Sequence, residues 1–527
     1  MSLTLPILLE RGYFPQELPP PFTSHGLAAF GNAPLPFTTP PRTSRPEIFN
    51  LARTGTLRRQ LSILNPIHFS LLAELVVANW SDLEKAATTS SFSLSAPSLT
   101  DSKRAIGRKH PMSARPARRA ECYARGKYLL RADISRFYPS AYTHSIPWAL
   151  HGKALSKQNV KNKIKLLGDN LDEKLRNCQD AQTNGIPIGP DTSLLIAEII
   201  LCQVDAELQK RNVIGLRYMD DYELVFESES EALEGLAAFQ QTLLGFELHL
   251  NPAKTKIVPL PQRIEEIWAD ELRSFEINPN SPGFGSQLIH FFDKAFDLAA
   301  NHPDSGVLKY AAGRMSNIRT WNEHYPLVED LLVQCARAEA GALSFVLNTL
   351  LRVTTVDAAR TERRKNLFVK TILEHAPRRH SSEVAWALWA CIAQKFVVPS
   401  EALKRVVQME DSVCALLALH ARALGLAESP ADLEPLQAAI TAEELYDSRW
   451  MLAYEAMIKG WLATPASGDF VAANANFSKL KAAGVTFYDT AKVALSPPPV
   501  SKPKIELLGD YESEDSDETD AETESYF

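Results

Sequence analysis

The chain has 527 residues, enough for two or three domains with sizeable cores. Its 45% hydrophobic and 23% charged content is that of a soluble globular protein, and no run approaches the 18 apolar residues of a membrane helix. Six scattered cysteines form no C-x-x-C, so they indicate neither a zinc site nor a disulfide framework, and a cytoplasmic location is expected. The start, MSLTLPILLE, lacks the basic region of a signal peptide and meets Pro6 and Glu10 early.

The net charge of −7 hides an asymmetry. Residues 510–527 carry nine acids and no base, so the remainder carries +2. Residues 101–131 carry ten Lys/Arg against Asp101 and Glu121, a stretch suited to a phosphate backbone.

Taken in order, residues 1–50 are proline-rich and read as an extended arm containing Tyr13. Apolar residues at helical spacing (Phe69, Leu72, Leu75, Val76) predict helices over 51–85, and a Ser/Thr/Pro-rich loop follows at 88–100. Tyr128 to Ile134 reads as a buried strand ending at Asp133, with Leu129, Arg131 and Asp133 on one face. Five residues on stands Tyr138, beside Phe137. The loop NGIPIGPDTS, 184–193, opens a helix that Asp191 or Thr192 can cap and whose apolar face is Leu195, Ile199 and Cys202.

Residues 213–227 read as a hairpin with Asp220 and Asp221 at its tip, between strand-type residues Leu216, Tyr218, Leu224 and Phe226. Two adjacent carboxylates in a turn repel each other. Mg²⁺ relieves this, and because it takes one or two carboxylates plus substrate phosphates, the pair asks for a third carboxylate. Asp133 is the candidate. A helix at about 229–244 and strands around the Asn251-Pro252 turn follow, with Lys254 and Lys256 beside that turn. From about 290, helical segments alternate with short polar breaks. Val384, Leu388, Cys391 and Ile392 form one stripe, Thr441 and Glu444 read as a capping box, and Gly484 ends a helix near Ala483. The acidic tail reads as disordered.

The order of Asp133, the 185–193 loop, Tyr-Met-Asp-Asp at 218–221 and Lys254 resembles the fingers and palm of reverse transcriptases. Tyr142 to Asn159 and GIPIGPDTS resemble the bacterial abortive-infection, AbiK-like group of defence reverse transcriptases. The resemblance implies an α/β then all-α chain: a right-hand polymerase palm, and a C-terminal HEAT-like helical repeat in place of the thumb. The expected domains are a 1–50 arm, 51–285 fingers and palm, 286–495 helical repeat and a 496–527 tail.

It also implies a metal site of Asp133, Ile134, Asp220 and Asp221 for Mg²⁺, with Mn²⁺ as the alternative. The nucleotide pocket would be Phe137, Tyr138, Gly189 and Ser193, with Tyr138 excluding a 2′-hydroxyl. Lys254 would be the general acid. Expected partners are dNTPs, DNA product, RNA as template or non-coding RNA, and further copies of the chain. Ile188 stands where most reverse transcriptases carry glutamine. With the family's habit of untemplated, protein-primed synthesis, this points to a mobile tyrosine primer, Tyr13 first, then Tyr511 or Tyr526. The alternatives are a conventional RNA-templated enzyme of a retron or mobile element, and an inactive polymerase serving as a helical binding module.

Overall fold

The computed structural model describes residues 2–31, 35–55, 57–318 and 321–494. Tyr511, Tyr526 and the acidic tail lie outside the described residues.

The proline-rich segment is not an extended arm. Helix α1 (Leu5–Arg11) buries Leu5, Leu8 and Leu9. The chain beyond it pairs with the far end of the sequence: Thr23 N–H donates to Phe487 O (3.0 Å) and Asp489 N–H to Pro21 O (2.7 Å). Proline fixes φ and removes a donor, so it opposes a regular element, but it does not oppose burial. Leu18, Phe22, Leu27 and Phe37 are all buried here.

Strands β1 (Glu47–Ala52) and β2 (Arg58–Ile63) form an antiparallel hairpin where helices were expected from residue 51. Phe49, Leu51, Leu61 and Ile63 point inward at period two, and Gly55, at φ +59°, takes the left-handed turn. Asn65 then caps α2 (Pro66–Ala78) by accepting from Ile67 N–H at 3.1 Å, with Pro66 at the first helical position. Helix α3 (Trp80–Ala87) continues it, and β3 (Pro97–Leu99) pairs with β4 (Ile106–Arg108) within the loop and basic stretch. That stretch also forms α4 (Arg115–Tyr123).

The palm sheet is antiparallel, in the order β6-β7-β5-β8, from β5 (Tyr128–Asp133), β6 (Ile214–Tyr218), β7 (Asp221–Phe226) and β8 (Lys256–Pro259). Between β5 and β6 run α5 (Phe137–Ser140), α6 (Ser145–His151), α7 (Lys153–Asn162), α8 (Leu167–Asn177) and α9 (Asp191–Gln209). Helix α10 (Glu229–Leu244) starts where Ser228 Oγ accepts from Glu231 N–H at 3.2 Å, and Gly245 follows its end.

From α11 (Ile267–Arg273) onward the described chain is helical: α12 (Phe284–Asn301), α13 (Val307–Ser316), α14 (Tyr325–Ala338), α15 (Leu343–Leu350), α16 (Ala358–His375), α17 (Ser381–Gln394), α18 (Ser400–Val407), α19 (Ser412–Ala423), α20 (Trp450–Ile458), α21 (Phe470–Ala473) and α22 (Phe477–Ala482). Successive helices pack on one another, with α17 contacting both α16 and α19. The stripe Val384, Leu388, Cys391, Ile392 is buried on α17, and Gly484, at φ +68°, closes α22. The Thr441–Glu444 capping box precedes only a short 3₁₀ turn. Glu444 pairs with Arg449, and α20 begins at Trp450.

One continuous core joins the N-terminal segment, the fingers hairpin and the helices, from Leu3 to Tyr488. Trp450 Nε1 donates to Ile63 O (3.2 Å) and Ser412 N–H to Glu47 (2.9 Å), so β1 and β2 are seated on the helical region. All six cysteines are buried and unpaired. Among the described residues no helix is long and apolar enough to cross a membrane.

Candidate active site

The site is built where β5 ends beside the β6–β7 turn. The strand register sets Asp133 directly opposite Asp221. Tyr218 pairs with Asp221, so Met219 and Asp220 form a two-residue loop. Met219 takes φ +52°, a left-handed conformation unusual outside glycine and asparagine, which such a primed turn requires. Ile134 N–H donates to Asp220 O (3.1 Å), tying the turn to the end of β5. The three predicted carboxylates therefore meet at one end of the sheet.

Their electrostatics is that of a site short of positive charge. Asp133 Oδ1 accepts from Asn251 Nδ2 (3.0 Å) and Oδ2 from Lys254 Nζ (3.1 Å). Asp221 Oδ1 is buried with no hydrogen-bond partner. Burial, then the neighbouring Asp220 charge, holds the Asp221 carboxyl well above the ordinary carboxylate range, and Arg115 and Lys254 offset this only in part. A buried carboxylate oxygen with no donor beside two further carboxylates fits a hard divalent cation with oxygen ligands. Ile134 has a fully buried side chain and an engaged N–H, so only its carbonyl is left as a ligand.

The pocket residues divide. Tyr138 lies half-buried, its ring 5.5 Å from that of Phe137, and burial, then the Asp220 charge, raises its pKa. The charges of Arg108 and Arg59 oppose that shift, and Arg108 lies over the Tyr218 ring at 5.0 Å.

Phe137 is core, 1% exposed. Gly189, expected to approach nucleotide, instead approaches protein. At φ +139° a Cβ there would stand 2.8 Å from Ser62 O and 3.1 Å from Pro15 Cγ. Ser193 is buried and its hydroxyl donates to Pro187 O. Asp191 does not cap α9. Its carboxylate accepts from Ala105 N–H, Ile106 N–H and Arg104 Nη1, each at 2.8 Å, and so fixes the basic stretch to the palm. Ile188 O accepts from Ser62 N–H (2.6 Å), which seats this loop on β2.

Tyr13 does not lie on an exposed arm. It is fully buried, stacked on Phe69 with centroids 4.4 Å apart at 15°, and its hydroxyl donates to Leu64 O. As a primer it would have to leave the core. Burying a side chain of this size stabilises by about 1.5–3 kcal/mol, and exposing it would cost that much.

Sequence reasoning missed the support beneath the turn. Arg217, wholly buried, donates to Glu198 from Nη1 (2.8 Å) and Nη2 (2.9 Å), to Asp205 from Nε (2.9 and 3.1 Å), and to Met219 O (2.9 Å). Ser95 Oγ donates to Glu198 (2.7 Å) and accepts from Met219 N–H (2.8 Å), and Tyr222 donates to Asp205 (2.8 Å). On the other face of β7, buried Glu223 accepts from Arg119 (2.5 and 3.0 Å) and Tyr123 (3.0 Å). Part of the basic stretch, Arg104, Arg115 and Arg119, is thus spent on buried acids. The available signal was an arginine inside a hydrophobic strand next to the turn, and acids at 198 and 205 on one face of an otherwise apolar helix.

Residues 55–277 match the family described as reverse transcriptase (RNA-dependent DNA polymerase). They are a reverse transcriptase domain. The match, to a family that uses divalent metal ions, takes in Asp133, Tyr138, Asp220, Asp221 and Lys254. No curated protein sequence matches the chain. Among solved structures, telomerase from Candida albicans in complex with a TWJ fragment of telomeric RNA is similar at 11% identity and a TM-score of 0.27. That likeness covers 60% of this chain and 64% of that one, so the chain spans less than two thirds of its length.

Proposed function

We propose that the chain is a DNA polymerase that joins deoxynucleotides at Asp133, Asp220 and Asp221, without a nucleic-acid template and in anti-phage defence. The observation that carries polymerisation is the meeting of three carboxylates at the end of β5 and β7, with Asp221 Oδ1 buried and unsatisfied. Asp133, Asp220, Asp221 and the Ile134 carbonyl would hold Mg²⁺ or Mn²⁺, which supplies charge stabilisation at the α-phosphate and a lower pKa for the attacking hydroxyl. Arg59 and Arg108 would bind the triphosphate, and Tyr138 would close the space at C2′. The attacking hydroxyl would give its proton to solvent, and its oxygen would bond to the α-phosphorus as the bond to pyrophosphate breaks. Lys254, whose Nζ lies 3.1 Å from Asp133 Oδ2, would hand a proton to the leaving group.

Three features support untemplated synthesis: Ile188 in place of glutamine, a template loop seated on β2, and the likeness of Tyr142 to Asn159 to the abortive-infection enzymes. The burial of Tyr13 moves the priming proposal to Tyr511 and Tyr526. HEAT-like stacking of the helices from Phe284 would give the lateral surfaces for a homo-oligomer. The conventional reading, RNA-templated synthesis, is favoured by the family's own description.

One experiment separates the two. Nuclease-treated protein is incubated with Mg²⁺ and each labelled deoxynucleotide in turn, and run on denaturing gels with and without protease. Label that migrates with protein until proteolysis supports untemplated, protein-primed synthesis. Product that requires added template and primer assigns the conventional reverse transcriptase. Plating phage on cells expressing wild type or Asp220→Asn tests defence: protection that survives the substitution refutes a polymerase-dependent role.

A further inference from the structure

Outside the palm, a second group of ligand-bearing side chains converges where α16 passes into α17. His375 ends α16, a 3₁₀ turn follows, Arg379 at φ +55° reverses the chain, and His380 and Glu383 open α17. His375 Nδ1 and His380 Nδ1 lie 2.9 Å apart. Glu383 Oε1 stands 3.4 Å from the first and 3.5 Å from the second. We propose that His375, His380 and Glu383 bind a divalent metal ion of the zinc class. The site would lock the β1–β2 hairpin onto the helical region.

Within the triangle, only the two histidines stand at good hydrogen-bond distance. The two imidazoles can share one N–H between their Nδ1 atoms. The carboxylate oxygen then lies beyond good hydrogen-bond distance of both. Around zinc, with ligand bonds of about 2.0–2.2 Å in tetrahedral geometry, ligand atoms sit about 3.3–3.5 Å from one another. Two of the three edges have that length, and the third opens to it by about 0.4 Å once an ion replaces the shared proton.

The chemistry also fits. Imidazole is neutral at pH 7 and above, and two imidazoles with one carboxylate select zinc, copper, nickel or cobalt over magnesium. The carboxylate is already oriented: Arg58 donates to Oε1 (2.5 Å) and Oε2 (2.8 Å), and Ser382 Oγ donates to Oε2 (2.6 Å). Such outer partners fix a ligand's direction and contribute to affinity. The Arg58 charge weakens cation binding, so the affinity should fall below that of a closed four-ligand site. The imidazoles are 23% exposed, leaving room for water at a fourth position.

The link to the fingers lies in the same residues. Arg58 belongs to β2, Ala52 N–H donates to Ser382 Oγ (2.9 Å), and Asn50 Nδ2 donates to Arg379 O (2.8 Å). Among the described residues no other group of three such side chains has its ligand atoms so close together.

The test uses the full chain, stripped with EDTA, desalted and kept in millimolar Mg²⁺ to occupy the palm. Calorimetric titration with ZnCl₂ should show one equivalent in wild type and in Asp220→Asn. His375→Ala or His380→Ala should lower the affinity about 100-fold or more, and Ser382→Ala about tenfold. Should the histidine variants misfold, diethyl pyrocarbonate modification of wild type gives a second readout. Zinc should protect His375 and His380 from carbethoxylation, as read by peptide mass spectrometry. Identical titrations of His380→Ala and wild type, no zinc binding by wild type, or equal modification with and without zinc would each overturn the proposal.

Discussion

At the scale of single residues, Asp221 shows how the site exchanges stability for chemistry. Its carboxyl is held above the ordinary range by burial and by Asp220, so the ionised form is disfavoured in the folded, metal-free protein. A carboxyl raised in this way contributes stability at low pH that is lost as pH rises above the ordinary carboxylate value of 3.8. At neutral pH, Asp221→Asn should therefore melt higher than wild type in EDTA, while incorporating no nucleotide. Mg²⁺ should raise the melting temperature of wild type more than that of the variant, as differential scanning fluorimetry would show. Asp220→Asn should likewise abolish incorporation with the fold intact. Tyr138 permits an independent test. Tyr138→Ala should raise ribonucleotide use relative to deoxynucleotide use, and an unchanged ratio removes the ring from the sugar pocket.

At the scale of elements, the β6–β7 hairpin is positioned by charges buried beneath it. Arg217 spans Glu198 and Asp205 on α9 and reaches the turn carbonyl of Met219, while Ser95 holds the Met219 N–H. Removing one partner of a buried ion pair strands the others and typically costs about 3–5 kcal/mol, whereas an apolar replacement of the whole set is often neutral. Glu198→Gln should thus lower stability, leaving Arg217 half-paired, and should also raise the metal concentration needed for half-maximal incorporation. Arg217→Lys keeps the charge and loses the planar fork, so it should rescue stability in part and metal dependence poorly. A loss of stability with unchanged metal dependence would make the network purely structural.

At the scale of the whole molecule, the N-terminal segment, fingers and helices share one core. Two of its histidines make it acid-sensitive. His68 and His420 are both lowered from 6.5 to about 4, chiefly by burial and then by Lys174 and Lys459 respectively. The unfolded chain takes up these protons near 6.5 and the fold does not. The stability the two residues contribute is whole above 6.5 and drains away as pH falls towards 4. It should amount to about 1–2 kcal/mol each after allowing for screening. His420→Gln, which keeps an acceptor for the Tyr488 hydroxyl, should flatten the urea midpoint between pH 6.5 and 4.

The sequence by itself determined the local chemistry. Period-two apolar runs located β5, β6 and β7, the Asp-Asp turn declared its need for a third carboxylate, and a helix at about 229–244 matches α10. Each rests on neighbours within a few positions. Tertiary structure alone decided what distant residues do to one another. Tyr13 and the prolines around it gave no periodic signal, yet they are core because Phe69 and Phe487 cover them. Gly189 faces β2 rather than a ligand because Ser62 and Pro15 arrive from elsewhere in the chain. The basic stretch read as a phosphate-binding surface, but part of it neutralises Asp191 and Glu223, acids 87 and 104 residues from Arg104 and Arg119. The physical reason is that secondary structure follows from local spacing, whereas burial and charge pairing depend on which segments the fold brings into contact.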